Sequence, residues 1–172
     1  MVRHFEQVLH SQGLFEALRI LNSASIYRFT GVYKFEETRL VKSVVLFDRR
    51  NPDLRVGQDV PWKDSYCMLA AEDGQSLEIA DSQTDSRLKQ HQARNTVQSY
   101  CAVLLRYPDG KPLGTLCHFD LRPCAAPPGT IEQLAAAKPA LEQFLWTSQV
   151  DVDFVPKQIA ARVRPRPIAR AN

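Results

Sequence analysis

The reactive groups of this chain are mainly its thiols. Cys67, Cys101, Cys117 and Cys124 make no CxxC pair and no zinc-ligand spacing, so metal binding has no pattern to rest on. Thiol redox chemistry would need a thiolate with a resolving thiol in reach, for which Cys67, Cys101 and Cys117 are the candidates by number. Cys101 and Cys117 lie on either side of the Asp109-Gly110 pair, so two paired strands could bring them together, depending on register. In a reducing compartment the default is free, mostly buried thiols that behave as small apolar residues. Phosphate chemistry has less support. Arg87 and Arg94 are the candidates for a clamp, and both read as solvent-facing.

The elements that must position these groups follow a regular order. Phe5, Val8, Leu9, Leu14, Phe15, Leu18 and Leu21 recur at helical spacing, and Gly13 weakens that helix by about 1 kcal/mol without ending it. Ser25–Glu36 and Leu40–Asp48 are rich in aromatic and β-branched residues and read as a hairpin. After a polar loop, Pro61 opens a helix from Lys63 to Glu72, closed by Asp73-Gly74. Ser76–Ala80 is a short strand, and Ser86 can cap a short helix through Gln92. Ser99–Tyr107 and Leu113–Asp120 form a second hairpin across a Pro-Asp-Gly-Lys turn. Their nearly continuous apolar runs suit central strands covered on both faces. Thr130 can cap a last helix, Ile131–Ser148, which Pro139 should kink or split. This order predicts an α/β (α+β) fold: one antiparallel sheet of five to six strands, with the terminal helices on one face and the middle helices and loops over the other.

Composition places this in one domain. The chain has 172 residues, 44% apolar and 24% charged, enough for a real core. No apolar run reaches the roughly 20 residues of a membrane span, and the first ten residues lack a signal-peptide core, so a cytoplasmic location is expected. The formal charge of +3 belongs to the end of the chain. Lys157, Arg162, Arg164, Arg166 and Arg170 have no acid among them, which leaves 17 basic against 19 acidic residues in 1–156. Residues 1–150 therefore read as the domain, and 151–172 as an extended or disordered Arg/Pro-rich tail. A near-neutral domain gives no reason to expect nucleic acid as a partner.

The stretch Gly114-Thr115-Leu116-Cys117-His118-Phe119-Asp120-Leu121-Arg122-Pro123 resembles the closing signature of bacterial GAF domains. Asp64-Ser65-Tyr66-Cys67 and Leu77–Asp81 with Asp85 and Arg87 are similar to two further segments of that family, in the same order. The resemblance covers about residues 13–147 and implies a GAF/PAS-like sheet with a ligand pocket beneath its middle helices. Carried over by position, it implies a ligand site drawn from Trp62, Tyr66, Cys67, Asp81, Tyr100, Cys101 and His118, with Asp48 nearby. It implies a non-catalytic sensor of a small molecule that signals to a separate protein, with no cofactor. The alternatives are a dimerisation module with a filled pocket, or a thiol-based free methionine sulfoxide reductase. The Cys117-His118 pair does not suffice for bilin attachment, because no cysteine lies beside His91. A homodimer through the terminal helices is expected, since Phe5, Leu9, Leu14, Leu18, Leu134, Leu141 and Leu145 offer more apolar surface than one sheet face needs.

Overall fold

Gly13 divides the start of the chain. It sits at φ 89°, ψ 177°, a conformation open to glycine and closed to residues with a Cβ, and it breaks the expected single helix in two. The result is α1 (Val2–Gln12) and α2 (Leu14–Ser23) in a computed structural model that describes residues 2–148. The expected 151–172 tail lies outside the described residues.

The remaining elements are β1 (Phe29–Phe35), β2 (Leu40–Asp48), β3 (Val60–Pro61), α3 (Tyr66–Asp73), β4 (Ser76–Ile79), β5 (Ser99–Arg106), β6 (Pro112–Asp120) and α4 (Thr130–Thr147). The strands make one six-stranded sheet in the order β3-β2-β1-β6-β5-β4, with every pair antiparallel. The first and last hairpins meet at its centre, where β1 pairs β6 with Gly31 opposite Cys117. Gly114 makes that junction possible: a Cβ there would fall 1.9 Å from the Tyr33 carbonyl oxygen.

Side chains alternate across the sheet with period two, and the two faces carry different covers. Cys101, Val103 and Leu105 of β5 and Leu116 of β6 pack with Phe5, Leu9, Leu18, Leu134, Ala137 and Leu141 beneath α1, α2 and α4. Tyr100, Ala102 and Cys117 pack on the other face with Tyr66, Cys67, Ala70, Leu77, Ile79 and Leu88. The expected layering is therefore the observed one. Of the apolar residues assigned to a dimer interface, Phe5, Leu9, Leu14, Leu18, Leu134 and Leu141 are buried within the chain and Leu145 is half-buried.

Several boundaries differ from the sequence reading, each for a local reason. The first strand begins at Phe29 rather than Ser25, because Asn22 Nδ2 donates to the Tyr27 and Arg28 carbonyls and holds residues 24–28 in a turn. The middle helix begins at Tyr66, after a 3-10 turn at Trp62–Asp64, since Ser65 caps it by accepting from Cys67 N at 3.1 Å. The next expected helix shrinks to two 3-10 turns, Ser86–Leu88 and Gln92–Asn95, capped by Asp85 and His91 rather than by Ser86. Thr130 is the first residue of α4, preceded by Gly129 at φ 88°, and its hydroxyl donates back to the Pro127 carbonyl. Pro139 does not split α4, because it lies on the solvent side, where the carbonyl it leaves free can be hydrated. No helix among the described residues is long and apolar enough to cross a membrane.

Candidate functional site

The face away from the long helices gathers most of the expected site. Cys67, near the start of α3, lies over β5 and β6, and its sulfur accepts hydrogen bonds from Tyr100 Oη at 3.3 Å and Thr115 Oγ1 at 3.1 Å. Tyr66 meets the Tyr100 ring edge-on at 5.6 Å and the His91 ring at 4.7 Å, and its hydroxyl donates to the Val97 carbonyl at 3.1 Å. Trp62 closes one side, edge-on to Phe35 at 6.3 Å, with its indole N–H on the Leu40 carbonyl. Burial raises the Tyr66 and Tyr100 hydroxyls above their usual range, so both are hydrogen-bond donors at neutral pH.

The cover over this face consists of α3 and the loop segment 80–97. Asp81 shapes that segment and does not point a carboxylate inward: Oδ1 accepts from Gln83 N, and its carbonyl accepts from Asp85 N. Asp85 holds Arg87 by both carboxylate oxygens, and Arg87 also donates to the Glu78 carbonyl. Arg94 donates to the Ser82 and Gln83 carbonyls. The two arginines considered for phosphate thus hold loop backbone. Asp48 lies apart, in a bidentate ion pair with Arg28 at 2.7 and 2.6 Å that holds its carboxyl below the usual range.

Two expected residues belong to the other face. Cys101 stands opposite His118 in the β5–β6 register, and Ala102 opposite Cys117, so Cys101 and His118 both point toward the long helices. This also separates Cys101 from Cys117 across the sheet and removes them as a resolving pair. His118 is buried in a chain of side chains. Asn22 Nδ2 donates to Thr30 Oγ1 at 2.8 Å, and Thr30 Oγ1 shares a further hydrogen bond of 2.7 Å with His118 Nδ1. The Tyr27 ring stacks on its imidazole at 5.7 Å. Burial, assisted by the nearby Arg49 charge, pushes His118 from 6.5 down to about 4. Burial likewise pushes Cys101 up to about 12, and Cys117 and Cys124 upward.

Three members of the site went unread in the sequence: Asp64, His91 and Thr115. Thr115 shares a face with Cys117 by period two, a signal that was available. His91 and Asp64 sit on turns with no periodicity to reveal their direction. Burial lowers His91, opposed by the neighbouring Asp64 charge. Asp64 Oδ1 is itself buried with no hydrogen-bond partner.

A sheet whose two hairpins meet at its centre, three helices behind it and a short-turn cover in front define the GAF fold, and comparison with solved structures agrees. The chain is similar to the free methionine-R-sulfoxide reductase of Neisseria meningitidis, solved with its substrate, at 16% identity and TM-score 0.66, over 83% of this chain and 84% of that one. It is similar to the GAF domain of an Acinetobacter phosphoenolpyruvate-protein phosphotransferase at 13% identity and TM-score 0.66, over 83% and 89% of the two chains. It also matches the chromophore-binding domain of Stigmatella aurantiaca phytochrome P1 at 15% identity and TM-score 0.65, covering 84% of this chain and 58% of that one. No family model matches the chain, and no curated protein matches it in sequence.

Proposed function

We propose that the chain is a non-catalytic sensory domain that holds a small ligand between the sheet and segment 62–97 and passes the signal to a partner protein. One observation carries this reading. The Tyr66 and Tyr100 rings, the Cys67 thiol, the Thr115 hydroxyl and the His91 ring gather on the sheet face covered by the two-turn helix α3 and the short turns of segment 80–97, whereas the other face is closed by three α-helices. A cover of one short helix and turns held by side-chain hydrogen bonds can open at less cost than three packed helices. Two of the fold's relatives hold small molecules on their own account, by their names a reductase substrate and a chromophore. The reading without catalysis is preferred to a thiol reductase. Cys101 and Cys117 lie on opposite faces, and burial disfavours the thiolate at Cys101, Cys117 and Cys124.

Native mass spectrometry of protein purified without denaturation tests the proposal. The expected spectrum has a non-covalent adduct on the folded chain that disappears after denaturation and refolding. A bare chain throughout, with no thermal stabilisation by the small-molecule fraction of a cell extract, would overturn it.

A further inference from the structure

Arg106, the last residue of β5, is held from several directions at once. β4 begins at Ser76, opposite Val103, and beyond it Leu104 N donates to the Gln75 carbonyl. The register with β6 also shifts between Leu105 and Arg106. The Arg106 backbone is therefore left without a strand on the β4 side, and its polar groups need other partners. α4 supplies them. Arg106 N donates to Glu142 Oε1 at 2.6 Å, and Trp146 Nε1 donates to the Arg106 carbonyl at 3.0 Å. Glu142 and Trp146 stand one turn apart on the same side of α4. Glu142 is buried, with Lys138 Nζ 3.6 Å from the same oxygen.

The side chain of Arg106 runs the other way. Nη2 donates to the Gly74 carbonyl at 2.6 Å and Nη1 to the Gly110 carbonyl at 2.8 Å. Gly74 is the left-handed C-cap of α3, at φ 87°, and its own N–H closes the last turn on the Ala70 carbonyl. A planar charged donor that forks between two carbonyls holds both more firmly than a neutral group would. One residue thus joins the last turn of α4, on the face of the long helices, to the end of α3 on the opposite face.

We infer that Arg106 couples the two covers of the sheet, so that loosening the last turn of α4 loosens the C-terminal end of α3. By linkage the reverse holds as well. The use of this link rests on the ligand-binding reading above. α3 belongs to the cover of the ligand face, and a short helix is the kind of element that opens locally. Its displacement reaches α4 through Arg106 without deforming the central strands.

Hydrogen exchange read by mass spectrometry on the full chain tests the coupling without a ligand. Trp146→Phe removes the indole donor and keeps an aromatic ring; Arg106→Met removes both guanidinium bonds and keeps the backbone ones. Trp146→Phe should speed exchange in residues 143–148 about ten-fold and, through Arg106, in residues 70–76 about three-fold. In the Arg106→Met background the same substitution should still act on α4, yet leave residues 70–76 as Arg106→Met alone leaves them. The β1–β2 hairpin, residues 29–48, should stay unchanged in all three variants. Should Arg106→Met fail to fold, Arg106→Lys takes its place, because an ammonium keeps the charge without the fork. An effect of Trp146→Phe confined to α4, or one on residues 70–76 that persists without the guanidinium, would overturn the coupling. So would no rise in α4 at all, or a rise spread equally over the hairpin, which marks general destabilisation. A bare chain in the native spectrum would reject the sensor and leave the coupling standing. Uncoupled exchange in a protein that carries an adduct would do the reverse.

Discussion

His118 gives the sharpest test of how the two faces were assigned. In the folded protein it titrates at about 4, while in the unfolded chain it returns to 6.5. The folded value is depressed, so between these limits the unfolded chain binds a proton that the folded one does not. Stability is then complete above pH 6.5 and falls with decreasing pH by about 1.4 kcal/mol per unit, until it levels off near pH 4. The full loss is about 3 kcal/mol, and the near-complete burial of the ring leaves little solvent screening to discount. Urea unfolding of wild type and His118→Gln, repeated at intervals from pH 7.5 to pH 4, isolates this group, because every other titration is common to both proteins. Whatever constant difference the substitution introduces, the stability gap should change by about 3 kcal/mol in favour of the variant across that range. A gap constant to about 0.5 kcal/mol would mean that His118 titrates near its ordinary value. It would then have to be accessible to water, and the reasoning that places it under the helices would fail.

Three further outcomes follow from particular residues. Gly114→Ala drives a methyl group to 1.9 Å from the Tyr33 carbonyl oxygen, so β1 and β6 must part; chemical denaturation should show a loss of about 3 kcal/mol or more, or no soluble protein. With a thiol reagent at neutral pH in native buffer, half-buried Cys124 should react alone, while Cys67, Cys101 and Cys117 wait for unfolding; a second fast thiol would revive the reductase alternative. Pro139→Ala restores a helical N–H at an exposed position inside α4 and should raise stability by about 1–3 kcal/mol, read as a higher melting temperature.

The fold was legible because its signals are periodic or local. The two hairpins, the apolar central strands and the Asp109-Gly110 turn each follow from residue types over short spans, and the antiparallel sheet follows from their order. What was not legible depends on single backbone choices. Gly13 was read as a weak helix residue, yet its positive φ ends one helix and starts another. Pro139 reads as a kink or a split, yet with the proline on the solvent side α4 continues through it unsplit. A glycine is permissive and a proline restrictive, but position relative to solvent decides which effect governs, and a linear sequence does not display it.

The site was half legible, and the missed half separates into two kinds. Tyr100 and Cys101 were both assigned to the ligand face although they are consecutive on a strand; period two forbids that, and the same rule would have replaced His118 by Thr115 beside Cys117. Those errors were avoidable. Asp64 and His91 were not, because their directions are set by caps and turns: Ser65 on Cys67 N, His91 on Ala93 N and Asp85 on Arg87 N. Such contacts join residues two apart and have no period, so no pattern in the sequence displays the direction in which the neighbouring side chains point. The strands therefore specify which thiols and hydroxyls share a face, but the directions of the side chains on the covering turns come from loop geometry. Substitutions on β5 and β6 should accordingly alter stability first, whereas changes at residues 62–66 and 91–97 should alter ligand choice with the sheet intact.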